Sequence, residues 1–257
     1  MSYRCALRWL FAGLISVLMA APSLADEIKI RADPWLPYSG SSEMNPGGYM
    51  VEMAEAIAKA NGHTIEYRTM PWANALDVVR AGSADCVVGA YLTDAEGFAF
   101  PKTGWGKSGN VFWGLSENKW RYEGVASLDK VKVGVIEEYS YGDEMDAYLK
   151  QYAGDAKRIE VVPAVGRGIV RLIARLIGRR IDTFVEDTNV LAYAIDQAKM
   201  EPGRIVSLGA VSDPEDVYIA CTPADPRGRA YADMFDEGTA KLRSSGKLAE
   251  ILGHYNL

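Results

Sequence analysis

One design occurs twice in the sequence, and this repeat constrains the fold more than any other feature. The first copy runs from Ala81 to Tyr91 and the second from Ile177 to Asp187. In each copy a helix with a periodic apolar face ends at a glycine, an aspartate follows, and a short β-forming run leads to polar groups. Glycine suits a left-handed helix end, and a short apolar run is typical of a strand buried on both faces. The repeat predicts two similar α/β units.

Polar residues come at the carboxyl end of both predicted strands. Open α/β sheets bind their ligands at this edge. The chain of 257 residues is long enough for two lobes of this kind. We therefore expect two sheets that face each other across a ligand-binding cleft.

The first 25 residues have the order of a secretory signal peptide. Arg4 and Arg8 precede an apolar run from Trp9 to Ala21, and small residues follow as far as Ala25. The pattern predicts cleavage before Asp26 and a periplasmic mature protein. An uncleaved membrane anchor is the alternative, but the apolar run is shorter than the ~20 residues of a membrane span.

The mature chain is acidic and holds two cysteines. The full sequence has 28 basic and 34 acidic residues, so removing Arg4 and Arg8 changes the formal charge from -6 to -8. An acidic surface without a basic run argues against nucleic acid and anionic membranes as partners. Cys86 and Cys221 both lie in strand-like runs; the sequence leaves open a disulfide or two buried thiols.

Periodicity predicts two β-α-β-α-β series, which include a strand at Glu27–Ala32 and a helix at Gly168–Ile177, and then two C-terminal helices. The extended runs Val111–Leu115 and Val217–Cys221 are predicted to cross between the lobes and to form a hinge. The predicted bounds are 26–112 with 221–257 for the first lobe and 113–220 for the second.

With this order of elements the chain resembles the extracytoplasmic solute-binding proteins of family 3, receptors for polar amino acids and related solutes in ATP-driven importers. The order of the matching pieces over the mature chain carries the resemblance. These pieces are Pro34-Trp35-Leu36-Pro37-Tyr38, the helix Gly48–Ala58, Trp72 and Leu76 before Gly82 and Asp85, Val133-Gly134-Val135 before Ser140, Ile181–Asp187, and Gly246-Lys247-Leu248-Ala249.

The resemblance implies a type II periplasmic-binding-protein fold, an α/β fold with two open mixed sheets flanked by helices and a two-strand hinge. It implies a monomer that binds a small polar solute between the lobes and delivers it to the permease of an ABC importer. It implies neither a cofactor nor catalysis.

By position, the resemblance also implies which residues line the cleft. They are Asp33, Trp35, Tyr38, Trp72, Tyr91 and Thr93 from the first lobe, and Glu137, Glu138, Ser140 and Asp187 from the second. Aromatic faces would sandwich an apolar or cationic group, and hydroxyls and helix amides would bind anionic oxygens. Asp187 would accept from an ammonium group or cap a helix, and the tryptophans could instead pack a lobe surface.

One departure from the family pattern concerns the ligand. Amino-acid-binding members typically follow the third strand with an arginine that clamps the ligand carboxylate, whereas here Gly97 falls near its place. Arg167, Lys102 and Lys107 are the candidates to replace it, and the sequence does not choose among them. Without such a cation the ligand is not an ordinary amino acid.

Other functions remain as alternatives. The two histidines, His63 and His254, are far apart and no Cys/His spacing resembles a zinc site, so no metal is predicted. An enzyme on the same scaffold, such as a cyclohexadienyl dehydratase, would need a general acid or base, for which Glu137, Glu138 or Asp187 could serve. A ligand-sensing partner of a membrane receptor is the third possibility.

Overall fold

The structure is a computed structural model and describes residues 25–44, 47–164 and 167–257. The predicted signal peptide lies outside these residues except for Ala25. None of the helices in the three ranges has the length and apolarity needed to cross a membrane.

The first lobe is a mixed five-stranded sheet with helices on both faces. Its strand order is β2-β1-β3-β10-β4; β1 pairs in parallel with β2 and β3, and β10 is antiparallel to β3 and β4. The elements are β1 (Glu27–Ala32), α1 (Tyr49–Ala60), β2 (Thr64–Thr69), α2 (Trp72–Arg80), β3 (Cys86–Ala90), β4 (Gly106–Ser108), β10 (Glu215–Cys221), α6 (Arg227–Ser244) and α7 (Lys247–Gly253).

The second lobe repeats this plan. Its strand order is β7-β6-β8-β5-β9, with β6 parallel to β7 and β8, and β5 antiparallel to β8 and β9. The elements are β5 (Asn110–Leu115), a 3₁₀-helix (Val125–Lys130), β6 (Val133–Ile136), α3 (Asp143–Gln151), β7 (Ile159–Val162), α4 (Gly168–Ile177), β8 (Thr183–Asp187), α5 (Thr188–Gln197) and β9 (Ile205–Ala210). The predicted fold class, two mixed sheets flanked by helices, is confirmed.

The two copies of the repeated design occupy equivalent places, with β3 and β8 fully buried in their sheets. The helix ends differ from the prediction. After α2 the left-handed residue is Gly82, with φ of 73°, whereas after α4 it is Arg179, with φ of 54°, and Gly178 has an ordinary φ of -75°. The prediction of a left-handed glycine is therefore wrong for the second copy, because the left-handed position there lies one residue after the glycine.

The chain passes between the lobes at different residues from those predicted. The runs predicted to cross are sheet strands: β5 belongs wholly to the second sheet and β10 wholly to the first. The passages are at Gly109, between β4 and β5, and at residues 211–214, between β9 and β10. The two passages touch, since a Cβ on Gly109 would lie 3.0 Å from Pro214. The predicted lobe bounds at residues 112 and 220 thus fall inside strands.

The lobes lie against each other beside these passages. Val190 of α5 is buried in the apolar cluster of the first lobe, among residues of α1, β1 and β10. Tyr193 of α5 packs on Tyr255, which follows α7, with ring centroids 6.2 Å apart. The two lobes are therefore in contact beside the passages.

Cys86 and Cys221 form a disulfide between the adjacent strands β3 and β10. The bond joins residues 135 positions apart in sequence. It links the N-terminal part of the first lobe to β10, the strand of the first lobe that follows the second lobe in sequence.

Candidate ligand-binding site

The cleft is the region between the carboxyl ends of β1 and β3 on the first lobe and of β6 and β8 on the second. Asp33, directly after β1, is only 7 % exposed. Its Oδ2 accepts a short hydrogen bond from the hydroxyl of Tyr139, which follows β6. Burial raises the pKa of Asp33 to about 6, while the Tyr139 hydroxyl opposes the shift. A hydrogen bond between partly buried groups of both lobes thus spans the cleft.

An aromatic pair lies beside Asp33 on the first-lobe wall. Trp35 stacks on the buried ring of Tyr38 with centroids 4.1 Å apart. The Tyr38 hydroxyl lies 2.7 Å from the carbonyl oxygen of Lys107 and 3.1 Å from Oδ1 of Asp187, and it accepts from Nδ2 of Asn189 at 2.8 Å. Tyr38 therefore connects strand β4, which precedes the passage at Gly109, with the second lobe.

Asp187 is the N-cap of α5. Its Oδ1 accepts from the backbone amides of Asn189 and Val190 at 2.7 and 3.0 Å, and its Oδ2 accepts from the amide of Gly109 at 3.0 Å. Both oxygens are occupied by protein groups, because the side chain caps the helix and also holds the interlobe passage. Of the two roles that the sequence leaves open, capping is the one that the structure displays.

Glu186, one residue earlier, is the most unusual group of the cleft. It is 3 % exposed, and its Oε1 accepts from the backbone amide of Asp187 at 2.8 Å. Its Oε2 and the indole Nε1 of Trp35 are both buried without another partner among the described residues, and the indole acts on this carboxyl group as a hydrogen-bond donor. Burial raises the pKa of Glu186 to about 8, against the lowering by the Asp187 amide and the Trp35 indole. Glu186 is therefore mainly protonated at neutral pH.

The sequence model of the bacterial extracellular solute-binding proteins, family 3, matches residues 28–257. The chain belongs to this family. A search of curated proteins gives no match.

Solved structures share the fold of this solute-binding protein at low sequence identity. A histidine kinase sensor domain with similarity to periplasmic binding proteins has a TM-score of 0.69 at 20 % identity, covering 89 % of this chain and 95 % of the other. An ancestral arginine-binding protein bound to glutamine has a TM-score of 0.66 at 16 % identity, over 90 % and 97 %. An amino acid ABC transporter substrate-binding protein from Streptococcus pneumoniae bound to L-arginine has 0.65 at 19 %, over 90 % and 94 %.

The structure brings together only some of the residues that sequence position assigns to the cleft of this solute-binding protein. Asp33, Trp35, Tyr38 and Asp187 form one connected group. Tyr91 lies at its edge, where its hydroxyl donates to Oγ of Ser108 at 2.6 Å. Trp72 packs against the first-lobe cluster of α2 and β3 that includes Val79.

The remaining candidates are exposed. Thr93, Glu137, Glu138, Ser140 and Arg167 all have exposed side chains. The hydroxyl of Ser140 donates to Oδ2 of Asp146 at 2.6 Å, and Arg167 precedes α4 with a left-handed φ of 67°.

None of the proposed substitutes for the family arginine pairs with the buried acids of the cleft. Lys102 and Arg167 are exposed, and Nζ of Lys107 pairs with Asp216 at 3.1 Å. No lysine, arginine or histidine forms an ion pair with Asp33, Glu186 or Asp187 in the described ranges. Within those ranges, no group of three metal-ligating side chains is arranged to hold an ion either.

Position in the family pattern does not identify three residues of the site, which are Tyr139, Glu186 and Asn189. Tyr139 stands between two predicted candidates, Glu138 and Ser140, and Glu186 directly precedes a third, Asp187. A signal for Glu186 does exist, since an acid in an otherwise apolar buried strand is rare unless it is paired or functional.

Proposed function

We propose that this protein is a periplasmic receptor that captures a small polar solute in the cleft and delivers it to the permease of an ABC importer. Family membership supports the solute-binding role, and the signal-peptide pattern of the first 25 residues supports export. The observation that carries the proposal is that buried polar groups of both lobes, Asp33 and Glu186, border one cleft beside the two chain passages.

The mechanism is a shift between open and closed lobes. A solute that contacts both walls gains those contacts only when the lobes close, so it favours the closed state by its differential affinity. Asp187 binds the amide of Gly109 in one passage, and Tyr38 binds the carbonyl oxygen of Lys107 in the adjoining strand β4, so these hydrogen bonds join the walls of the cleft to the segment that must bend and to the strand before it. Ligand contacts in the cleft and the bending of the hinge are therefore mechanically coupled, and no catalytic residue is needed. We expect the receptor to act as a monomer.

The test is a thermal-shift screen of the mature protein with amino acids, amines, organic acids and divalent metals, followed by small-angle scattering with each hit. A ligand should raise the melting temperature and reduce the radius of gyration. Tyr139→Phe should weaken the stabilisation by the ligand, whereas Tyr122→Phe, on the second lobe with no hydrogen bond from its hydroxyl in the described structure, should not. Stabilisation without lobe closure, or equal loss in both variants, would contradict the proposal.

A second function, catalysis on the same scaffold, is favoured by one observation. Glu186 is a buried carboxyl group with a pKa near 8, which is the property required of a general acid at neutral pH. The candidates from sequence position are less suitable, because Glu137 and Glu138 are exposed and Asp187 is fully hydrogen-bonded. Incubation with prephenate or arogenate distinguishes the functions: turnover that Glu186→Gln abolishes would replace the receptor by an enzyme.

A further inference from the structure

A cavity of about 710 Å³ lies in the second lobe, at the opposite edge of its sheet from the cleft. Its wall includes Leu115, which ends β5, and Val131 and Ile181, which come shortly before β6 and β8. Because β6 and β8 are parallel and β5 is antiparallel to β8, these three residues meet at the amino ends of β6 and β8. The cleft is at the carboxyl ends of the same strands. Since β8 has five residues, the cavity is separated from the cleft by roughly 15 Å.

The cavity has an apolar wall. Leu176 and Ile181 are buried, and Leu115, Val131 and Trp120 are half-buried. The indole Nε1 of Trp120 donates to the carbonyl oxygen of Ser127 at 3.0 Å, which holds the ring in one orientation. The volume lies in the range of small-molecule sites, which are lined mainly by apolar and aromatic side chains. The apolar body of a small molecule can therefore pack here.

The loop that forms the rim of the cavity is held by hydrogen bonds to other elements. This loop follows β5 and includes residues 116–124. The backbone amide of Tyr122 donates to the carbonyl oxygen of Leu208 in β9 at 2.8 Å. Nδ2 of Asn118 donates to the carbonyl oxygen of Asp182 at 3.0 Å, and its Oδ1 accepts from the amide of Trp120 at 2.9 Å. A ligand would thus meet a preformed rim and need not order it.

The rim carries an excess of positive charge, although the mature chain has a formal charge of -8. Four basic and three acidic residues line the cavity. Glu117 pairs with Arg179 at 2.8 Å, and Oδ2 of Asp182 accepts from the amide of Lys132 at 2.7 Å. Glu123 is the third acid and is exposed. Two of the three carboxylates are therefore already engaged.

Three of the four cations on the rim have no carboxylate partner. Lys119 and Lys130 are exposed and form no ion pair in the part of the chain that the structure describes. The guanidinium of Arg121 donates only to backbone, through Nη1 to the carbonyl oxygens of Asn118 and Trp120 at 3.0 and 2.7 Å. A negative group at the rim could accept from all three, while the wall beside it takes an apolar body.

We propose that this cavity is a second binding site, separate from the cleft, for a small organic anion that consists of a carboxylate on an apolar body. The carboxylate accepts from Lys119, Lys130 and Arg121, and the body packs against Trp120 and the aliphatic wall. The proposal does not depend on which solute the cleft binds.

The experiment is titration of the mature protein, followed by nuclear magnetic resonance of its ¹⁵N-labelled indole groups. The probes are two pairs in which an amide replaces the carboxylate: indole-3-acetate with indole-3-acetamide, and hexanoate with hexanamide. At least one carboxylate should bind about fivefold to twentyfold more tightly than its amide, because each exposed cation adds a modest attraction. It should shift the indole signal of Trp120, which Trp120→Phe identifies by its loss.

A double variant tests the role of the lysines. Lys119→Gln together with Lys130→Gln should lower the affinity for the carboxylate about fivefold and leave that for the amide unchanged. The matched control is Lys150→Gln together with Lys157→Gln, which makes the same change in charge at exposed second-lobe positions outside the cavity and should bind as the wild type does. All four lysines are exposed, and the wild-type comparison of acid with amide needs no variant.

Three results would overturn the inference: no binding of either carboxylate at millimolar concentration, equal affinity for acid and amide in both pairs, or equal loss in the cavity and control variants. A carboxylate that shifts the signal of Trp35 in the cleft but not that of Trp120 would also overturn it. That last outcome would leave the proposed receptor function intact, since the anion would then bind between the lobes.

Discussion

Replacing Glu186 by glutamine should stabilise the protein above neutral pH. The pKa of this carboxyl is 4.5 in an ordinary environment and about 8 in the folded protein, so the folded state holds the proton more tightly than the unfolded chain does. The associated stability is fully present below pH 4.5 and is lost as the pH rises through 8. From pH 5 to pH 8 this one group should lower the free energy of unfolding by about 3 kcal/mol.

Glutamine keeps an oxygen for the Asp187 amide and cannot ionise. The Glu186→Gln variant should therefore lose about 3 kcal/mol less than the wild type over that pH range. The measurement is urea denaturation of both proteins at several pH values, with the midpoint and slope fitted at each. Glu123→Gln should keep the wild-type pH dependence, because its carboxyl group is exposed. Parallel curves for Glu186→Gln and wild type would refute the reasoning that burial holds a proton on this residue.

Three further changes test the interlobe contacts and the disulfide. Tyr139→Phe removes the hydroxyl that donates to Asp33, so we expect the open fraction of the ligand-free protein to rise roughly tenfold to a hundredfold. Fluorescence transfer between labels on the two lobes measures this fraction. An unchanged distance distribution would contradict the prediction. Asp187→Ala should lower the free energy of unfolding by about 2 to 4 kcal/mol, because it removes a helix cap and leaves buried donors unsatisfied. Asp187→Asn keeps a capping oxygen and should lower the free energy of unfolding by less. Equal decreases in the two variants would count against the capping role. Reducing the Cys86–Cys221 bond should cost about 2 to 5 kcal/mol in urea denaturation, and a midpoint insensitive to reductant would show that the bond contributes nothing.

If Glu186→Gln raises the free energy of unfolding but weakens ligand binding, then Glu186 contributes to binding at a cost in stability. A buried carboxyl group that ionises is unfavourable for folding. Such a trade between stability and function is common at binding sites.

The spacing of apolar residues along the sequence predicts most of the helices and strands. Strand β1 and helix α4 begin and end where periodicity predicts, at Glu27–Ala32 and Gly168–Ile177. These elements are readable because the spacing of their apolar residues and the glycine next to the helix end are local properties. The 3₁₀-helix Val125–Lys130 and the short strand β4 were not predicted, since each is too short to show a period.

The candidate site is readable only in part. Asp33, Trp35 and Tyr38 follow a predicted strand, and the family resemblance assigns them to the cleft by position. The resemblance assigns Trp72 and Thr93 to the cleft in the same way; in the structure Trp72 packs against its own lobe and Thr93 is exposed. Loop length and direction, which decide such outcomes, depend on contacts between residues distant in sequence.

By itself, the sequence determined that this protein has two similar α/β units with polar residues at the carboxyl ends of their strands, because hydrophobic periodicity and turn residues are written locally. Only the tertiary structure decided that Asp187 caps α5 and reaches Gly109 while Glu186 lies buried beside the Trp35 indole. In a strand buried on both faces, adjacent acids look alike in the sequence. Their roles differ because β8 pairs with β5 and β6 in one register, and that register, together with the docking of the two lobes, fixes which protein donors each carboxyl group meets.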